Sequence, residues 1–222
     1  MRSTLRPQPA NMSQPTTDNT GSVGEGARGV YKHDSDRVKA GSLGLLLLLI
    51  TLGMLFGGLV LVVLAVRVGD EAWPANLPHL PWQVWVSTAS LLATSIAFAE
   101  AVAAMRRGSD AGIRLALGTA GIMVILFTGM QGWAWLDWYE QMPAVEAATQ
   151  QHRVGVMGFW VFTGLHGMHV LGGLIPLGMV AWYALFRTWT ASRHGLLRHT
   201  AIYWHFLDAV WVVLLLTMLV IL

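Results

Sequence analysis

The chain has 222 residues, of which 55% are hydrophobic and 12% charged, with 11 tryptophans, no cysteine and a formal net charge of +2. Soluble domains carry charge on about a quarter of their residues, so most of this surface faces something other than water. The absence of cysteine excludes disulfides, thiolate metal sites and cysteine catalysis, and the positive charges fall mainly in loops and the N-terminal segment, where membrane topology explains them better than nucleic acid does.

Residues 1–40 lack the apolar core of a signal peptide and are rich in Ser, Thr, Gly, Pro, Asn and Gln. Such a composition cannot bury enough apolar area to offset ordering. A disordered polar tail is expected there, followed by a transmembrane domain over 41–222. The first span, about 43–66, has no charged residue from Leu43 to Val66 and stops at Arg67; a hydrocarbon core of about 30 Å needs about 20 such residues in a helix. The second, about 82–105, runs from PWQVWVSTASLL to the stop at Arg106, Arg107 and Gly108. The third lies at about 111–136, the fourth at about 154–186 and the fifth at about 201–222. At about 1.5 Å per residue the fourth exceeds a perpendicular crossing, so it must tilt, protrude or bend. Pro176 is a candidate bend because it removes a backbone donor. The expected fold class is all-α, an integral membrane bundle of five transmembrane helices.

Lysine and arginine are unevenly spread. Arg2, Arg6, Arg28, Lys32, Arg37 and Lys39 precede the first span, Arg106, Arg107 and Arg114 follow the second, and Arg187, Arg193 and Arg198 follow the fourth, against Arg67 and Arg153 alone in the other loops. Positive loops stay inside, which places the N-terminus inside and, after five crossings, the C-terminus outside. The outer loops carry the aromatic belt of a membrane interface: Trp73, Trp82, Trp133, Trp135, Trp138 and Tyr139.

Ionisable groups at membrane depth are costly and face a protein interior by default. Here they are His166 and His169 in TGLHGMH, and His205 and Asp208 in YWHFLDAV. Each pair is spaced i, i+3, on one helix face. Three readings fit the residues: a four-ligand metal site of imidazole and carboxylate, a proton relay, or polar groups that hydrogen-bond across helix interfaces and fix their packing. Recognised di-iron bundles use several Glu beside His, and Glu100 is the one Glu within a span. It is expected to snorkel or to pair with an arginine of the following loop. Gly155, Gly158, Gly164, Gly167, Gly172 and Gly173 crowd the fourth span, and Gly53 and Gly57 form a GxxxG in the first. Small residues of this kind let helix backbones approach closely in lipid.

FWVFTGLHGMHVLGG (159–173) followed by RHTAIYWHFLDAVWVVLLL (198–216) resembles the paired signature of subunit III of haem-copper terminal oxidases. That family carries T-G-F-H-G-x-H-V in its penultimate helix and Y-W-H-F-V-D-V-V-W in its last. Leu165 and Leu207 replace the Phe and Val of those motifs. Thr163, His166, His169, Tyr203, Trp204, His205, Asp208 and Trp211 match them. STASLLATSIAFAEA (87–101) and LFGGLVLVVLAVR (55–67) are similar, more weakly, to upstream helices of the five-helix form.

The resemblance implies a non-catalytic subunit of a respiratory terminal oxidase of the cytochrome c oxidase type, in a bacterial plasma membrane. Such a subunit packs on subunit I beside subunit II, binds phospholipid, stabilises the complex and supports proton uptake during oxygen reduction in aerobic electron transport. Haem and copper are then expected in the partner subunits, with no catalytic, cofactor or metal residue in this chain. His166, His169, His205, Asp208 and Gln131 become interior polar packing, and Gly53, Gly57, Gly164, Gly167, Gly172 and Gly173 helix contacts. Leu52 stands where many members carry a buried Glu, so a proton-uptake role tied to that carboxylate does not carry over. The accessory subunit of a quinol oxidase or of a nitric oxide reductase remains an alternative, as does an independent metal-binding membrane protein.

Overall fold

The computed structural model describes residues 20–69, 79–141, 150–186 and 191–221, with side chains over 39–69, 79–141, 157–186 and 194–221. The chain divides into two compact units, Met1–Gly41 and Ser42–Leu222. In the first unit the described backbone, from Thr20, belongs to the long helix α1 (Thr20–Gly69). Composition predicts a disordered tail over 1–40. Residues 1–19 lie outside the described residues, and α1 is described from Thr20.

The second unit contains the rest of α1, then α2 (Gln83–Arg106), α3 (Asp110–Glu140), α4 (Gln150–Phe186) and α5 (Ala191–Ile221). Helices satisfy every backbone group internally, which hydrocarbon demands. Five segments are long and apolar enough to cross a membrane: Lys39–Gly69, Gln83–Arg106, Asp110–Glu140, Met157–Phe186 and His194–Ile221. They lie where the apolar runs place them. The third and fifth extend by several polar and aromatic residues, because a helix continues into the interface once formed. α4 runs through Pro176 as one continuous helix.

Among the described residues, α2 and α3 make the most extensive helix–helix contact. They are joined by the turn at Arg107–Ser109, where Gly108 adopts a positive φ of 69°, a conformation that costs other residues dearly. Ser109 then caps α3 by accepting from the Gly112 N–H at 3.2 Å, which satisfies one of the orphan donors at the helix start. A Cβ on Gly112 would lie 2.9 Å from the Ala104 Cβ, so the two helices converge next to their turn.

α5 is the most enclosed of the five segments. Leu197, Trp204, Leu207, Trp211 and Leu214 are all fully buried, and the helix packs on α2 and α4. α1 is the least enclosed: Leu52, Phe56 and Val63 are buried while Leu47, Met54 and Leu61 are exposed. Lipid tails are as apolar as leucine, so this exposure is not penalised in a membrane.

Candidate functional site

The polar residues of the two motifs fall on α4 and α5, but they do not form one cluster. His166 of α4 is buried at 1% exposure. It is surrounded by rings from three other helices: Phe56 of α1 at 6.4 Å, Phe127 of α3 at 6.2 Å and Trp211 of α5 at 5.0 Å between centroids. Neither ring nitrogen has a hydrogen-bond partner among the described residues. Reading the four residues as cross-helix hydrogen-bonding groups predicts a polar partner for His166; the structure gives it an aromatic cage instead. Its contribution is packing area and ring-edge contact, worth about 0.5–1.5 kcal/mol per aromatic pair.

His169, one turn on, meets the edge of Phe56 at 5.4 Å and points its Nδ1 at the Leu165 carbonyl of its own helix, 2.7 Å away. A carbonyl only accepts, so Nδ1 carries the proton. The backbone carbonyl of His169 accepts in turn from Tyr203 Oη of α5 at 2.9 Å. The hydrogen-bonded link from this motif to the last helix therefore runs through main chain and Tyr203, beside the ring contact of His166 with Trp211.

On α5, His205 turns to the opposite side, exposed, with its Nδ1 against Ser95 Oγ of α2. Asp208 is 5% exposed. Its carboxylate faces the same Ser95 hydroxyl, yet neither oxygen has a partner of hydrogen-bonding geometry. Among the described residues no three of His, Asp and Glu gather closely enough to hold a metal ion. The four-ligand arrangement that a metal reading needs is not formed.

A second polar group links α2 to α3. Gln131 lies buried there and accepts through Oε1 from Ser87 Oγ at 3.2 Å, and nearer the loop Gln83 Nε2 donates to Asp137. Two tryptophans add further cross-helix bonds. Trp211 Nε1 donates to Thr88 Oγ1 at 2.9 Å and Trp135 Nε1 donates to Thr163 Oγ1 at 3.1 Å. Sequence reasoning names neither Thr88 nor Ser95 nor Ser87. A usable signal exists nonetheless: Ser and Thr in apolar spans, and buried indole N–H groups that must find acceptors. Each such bond is worth about 0.6 kcal/mol on average in a membrane.

The glycines separate into three groups. A Cβ on Gly173 would lie 2.9 Å from Tyr203 Cε1 and 3.3 Å from Trp204 Cζ2, so α5 packs directly on it. Gly167 and Gly172 stand at ordinary contact distance from Trp135 and Tyr203. Gly53, Gly57 and Gly164 meet nothing within 4 Å, contrary to the expectation of close helix contact. For Gly53 and Gly57 the reason is that α1 docks through Phe56 and Val63, which hold its glycine face off; the two glycines border a shallow groove of about 210 Å³ beside Ala209 and Val213.

A helical membrane protein with five crossing segments and a histidine- and aromatic-rich seam between its last two helices is the class that fold and site define. The sequence pattern of the family described as cytochrome c oxidase subunit III matches residues 29–221. The chain is 29% identical over 186 residues to cytochrome c oxidase subunit 3 of Thermostichus vulcanus, covering 83% of this chain and 87% of that one. It is 26% identical over 182 residues to a probable cytochrome c oxidase subunit 3 of Nocardia farcinica, covering 81% and 87%. It is also 29% identical over 130 residues to the cytochrome bo(3) ubiquinol oxidase subunit 3 of Pseudomonas putida, covering 58% and 60%. The chain belongs to the cytochrome c oxidase subunit III family.

Proposed function

We propose that this chain is the non-catalytic subunit III of a respiratory haem-copper terminal oxidase, held in a bacterial plasma membrane with its N-terminus inside. It packs against subunit I beside subunit II, carries bound phospholipid, and sustains the complex during proton uptake and oxygen reduction. Haem and copper reside in the partner subunits. The observation that carries this reading is the seam of α4 and α5. The residues that match the family motifs are used to pack rings and to tie helices, with His166 caged by Phe56, Phe127 and Trp211, His169 turned to its own backbone, and His205 and Asp208 both facing Ser95 of α2. The positive-inside distribution of Lys and Arg supports the orientation.

The similarity to a subunit of a ubiquinol oxidase supports a second version in which the complex takes electrons from quinol. The donor site would lie in other subunits, so this chain's part is unchanged. The test is to tag the chain, extract it in mild detergent, identify what copurifies and record the optical spectrum. Stoichiometric oxidase subunits with haem bands are expected. A chain recovered alone from membranes that contain an assembled oxidase would contradict the proposal.

A further inference from the structure

The outer face of α5 carries a polar group at membrane depth. His205 is exposed and sets its Nδ1 against Ser95 Oγ of α2. Behind the pair lies Asp208, 5% exposed, with neither oxygen hydrogen-bonded. Within the span His194–Ile221, a rise of about 1.5 Å per residue sets His205 about 16 Å from the first residue and about 24 Å from the last. Ionisable groups at such depth face a protein interior by default, whereas His205 faces outward. The protons are also too few. A carboxylate only accepts, and Ser95 and a neutral imidazole have one proton each to give. If Ser95 donates to Asp208 and His205 Nδ1–H donates to Ser95, the remaining ring nitrogen, Nε2, is an acceptor. If Ser95 donates to Nδ1 instead, Asp208 receives nothing. Among the described residues no hydrogen bond reaches Nε2, and hydrocarbon holds no donor. The same side of α5 has room for a helix. Ala209, one turn on from His205 and exposed, borders with Val213 the groove of about 210 Å³ whose other wall is Gly53, Phe56 and Gly57 of α1. Small residues on both walls let a further backbone approach closely.

We propose that this face, the α1–α5 groove together with the Ser95–His205 pair, seats one transmembrane helix of subunit I. That helix lies along α5 with its backbone close to Gly53, Gly57 and Ala209, and it brings a hydrogen-bond donor to His205 Nε2. The inference deepens the proposed function and rests on it for the identity of the partner. The surplus of acceptors selects the occupant. An acyl chain would fill the groove and leave His205 unmet. A second copy of this chain, docked through the same face, would be isologous, setting His205 and Asp208 against their own kind and adding acceptors instead of donors. A helix of a different polypeptide supplies both the shape and the missing proton.

The experiment uses the full chain in its assembled complex, in native membranes. A photo-crosslinking amino acid is placed at Ala209 or at Val213 and, for comparison, at Ile125 of α3, which is 75% exposed. Adducts are identified by mass spectrometry. Ala209 and Val213 should capture a transmembrane peptide of subunit I, and Ile125 should not. His205→Phe keeps a ring and removes the acceptor, and it should lower the share of chain retained on the complex in mild detergent about threefold. His205→Gln, which keeps an acceptor, should retain more than His205→Phe. Ala209→Phe, which fills the groove, should lower retention further still. Both positions are exposed, so these variants should fold, and Ala209→Leu gives a smaller obstruction should Ala209→Phe not. Lipid or a second copy of this chain as the adduct at Ala209 and Val213 would overturn the proposal. So would capture of subunit I at Ile125 alone, or full retention of folded His205→Phe and Ala209→Phe. Copurifying subunits report separately on the oxidase reading. With them present and lipid captured at Ala209, the docking face falls and that reading stands; without them, the reading itself falls.

Discussion

Trp211 does two jobs at once: its indole Nε1 donates to Thr88 Oγ1 at 2.9 Å, and its ring lies 5.0 Å from His166. Thr88→Val removes the acceptor while nearly keeping the shape, leaving a buried N–H unmet at about 1–3 kcal/mol. A Thr88→Val/Trp211→Phe double-mutant cycle, read by unfolding in mixed micelles, should give a coupling of about 0.6–1.7 kcal/mol. Zero coupling would show that the bond does not hold α5 to α2. Gly173→Ala should cost about 1–3 kcal/mol by overpacking, because its new Cβ would meet Tyr203 at 2.9 Å. Gly164→Ala, with open space at its Cβ, should be nearly neutral; equal effects at the two sites would contradict the packing described. These residues also mark what the sequence could and could not say. Spacing placed His166 and His169 on one α4 face, but only the folded arrangement reveals that His166 meets rings and that His169 bonds its own backbone. Partner identity depends on helix rotation, which no single span encodes.

At the scale of elements, α1 docks, among the described residues, chiefly through Phe56 and Val63 with Leu59 and Val60 beside them, and Ser42 Oγ lies 3.1 Å from His199 Nε2 of α5. A Cβ on Gly158 would lie 3.8 Å from Val63 Cγ1, and the chain has no native cysteine. A Val63→Cys/Gly158→Cys pair should therefore crosslink efficiently under oxidation, and adding Phe56→Ala should lower the yield severalfold by loosening α1. Unchanged yield would mean that other contacts dock this helix. The spans themselves were legible because hydrocarbon admits little except a continuous apolar helix. The exposed glycine face of α1 was not: GxxxG indicates that close approach is possible, whereas the bulk of Phe56 and Val63 decides whether it occurs.

For the whole molecule, the proposed orientation, with the N-terminus inside, has a direct consequence. A single cysteine replacing Ser109, in the arginine-rich turn, should react with a membrane-impermeant maleimide only after the inner side is opened. One replacing exposed His79 should react in intact cells. The reverse pattern would invert the topology. The family match over residues 29–221 accompanies the proposed role, in which the chain supports chemistry performed elsewhere. The central claim, that it is a non-catalytic oxidase subunit, is tested most directly by removing the chain from the purified complex and adding it back. The account predicts that the depleted complex keeps its haem spectrum and begins oxygen reduction, but loses turnover over successive cycles, with add-back restoring it. Haem bands that leave with this chain, or an initial rate that falls to zero on its removal, would contradict it.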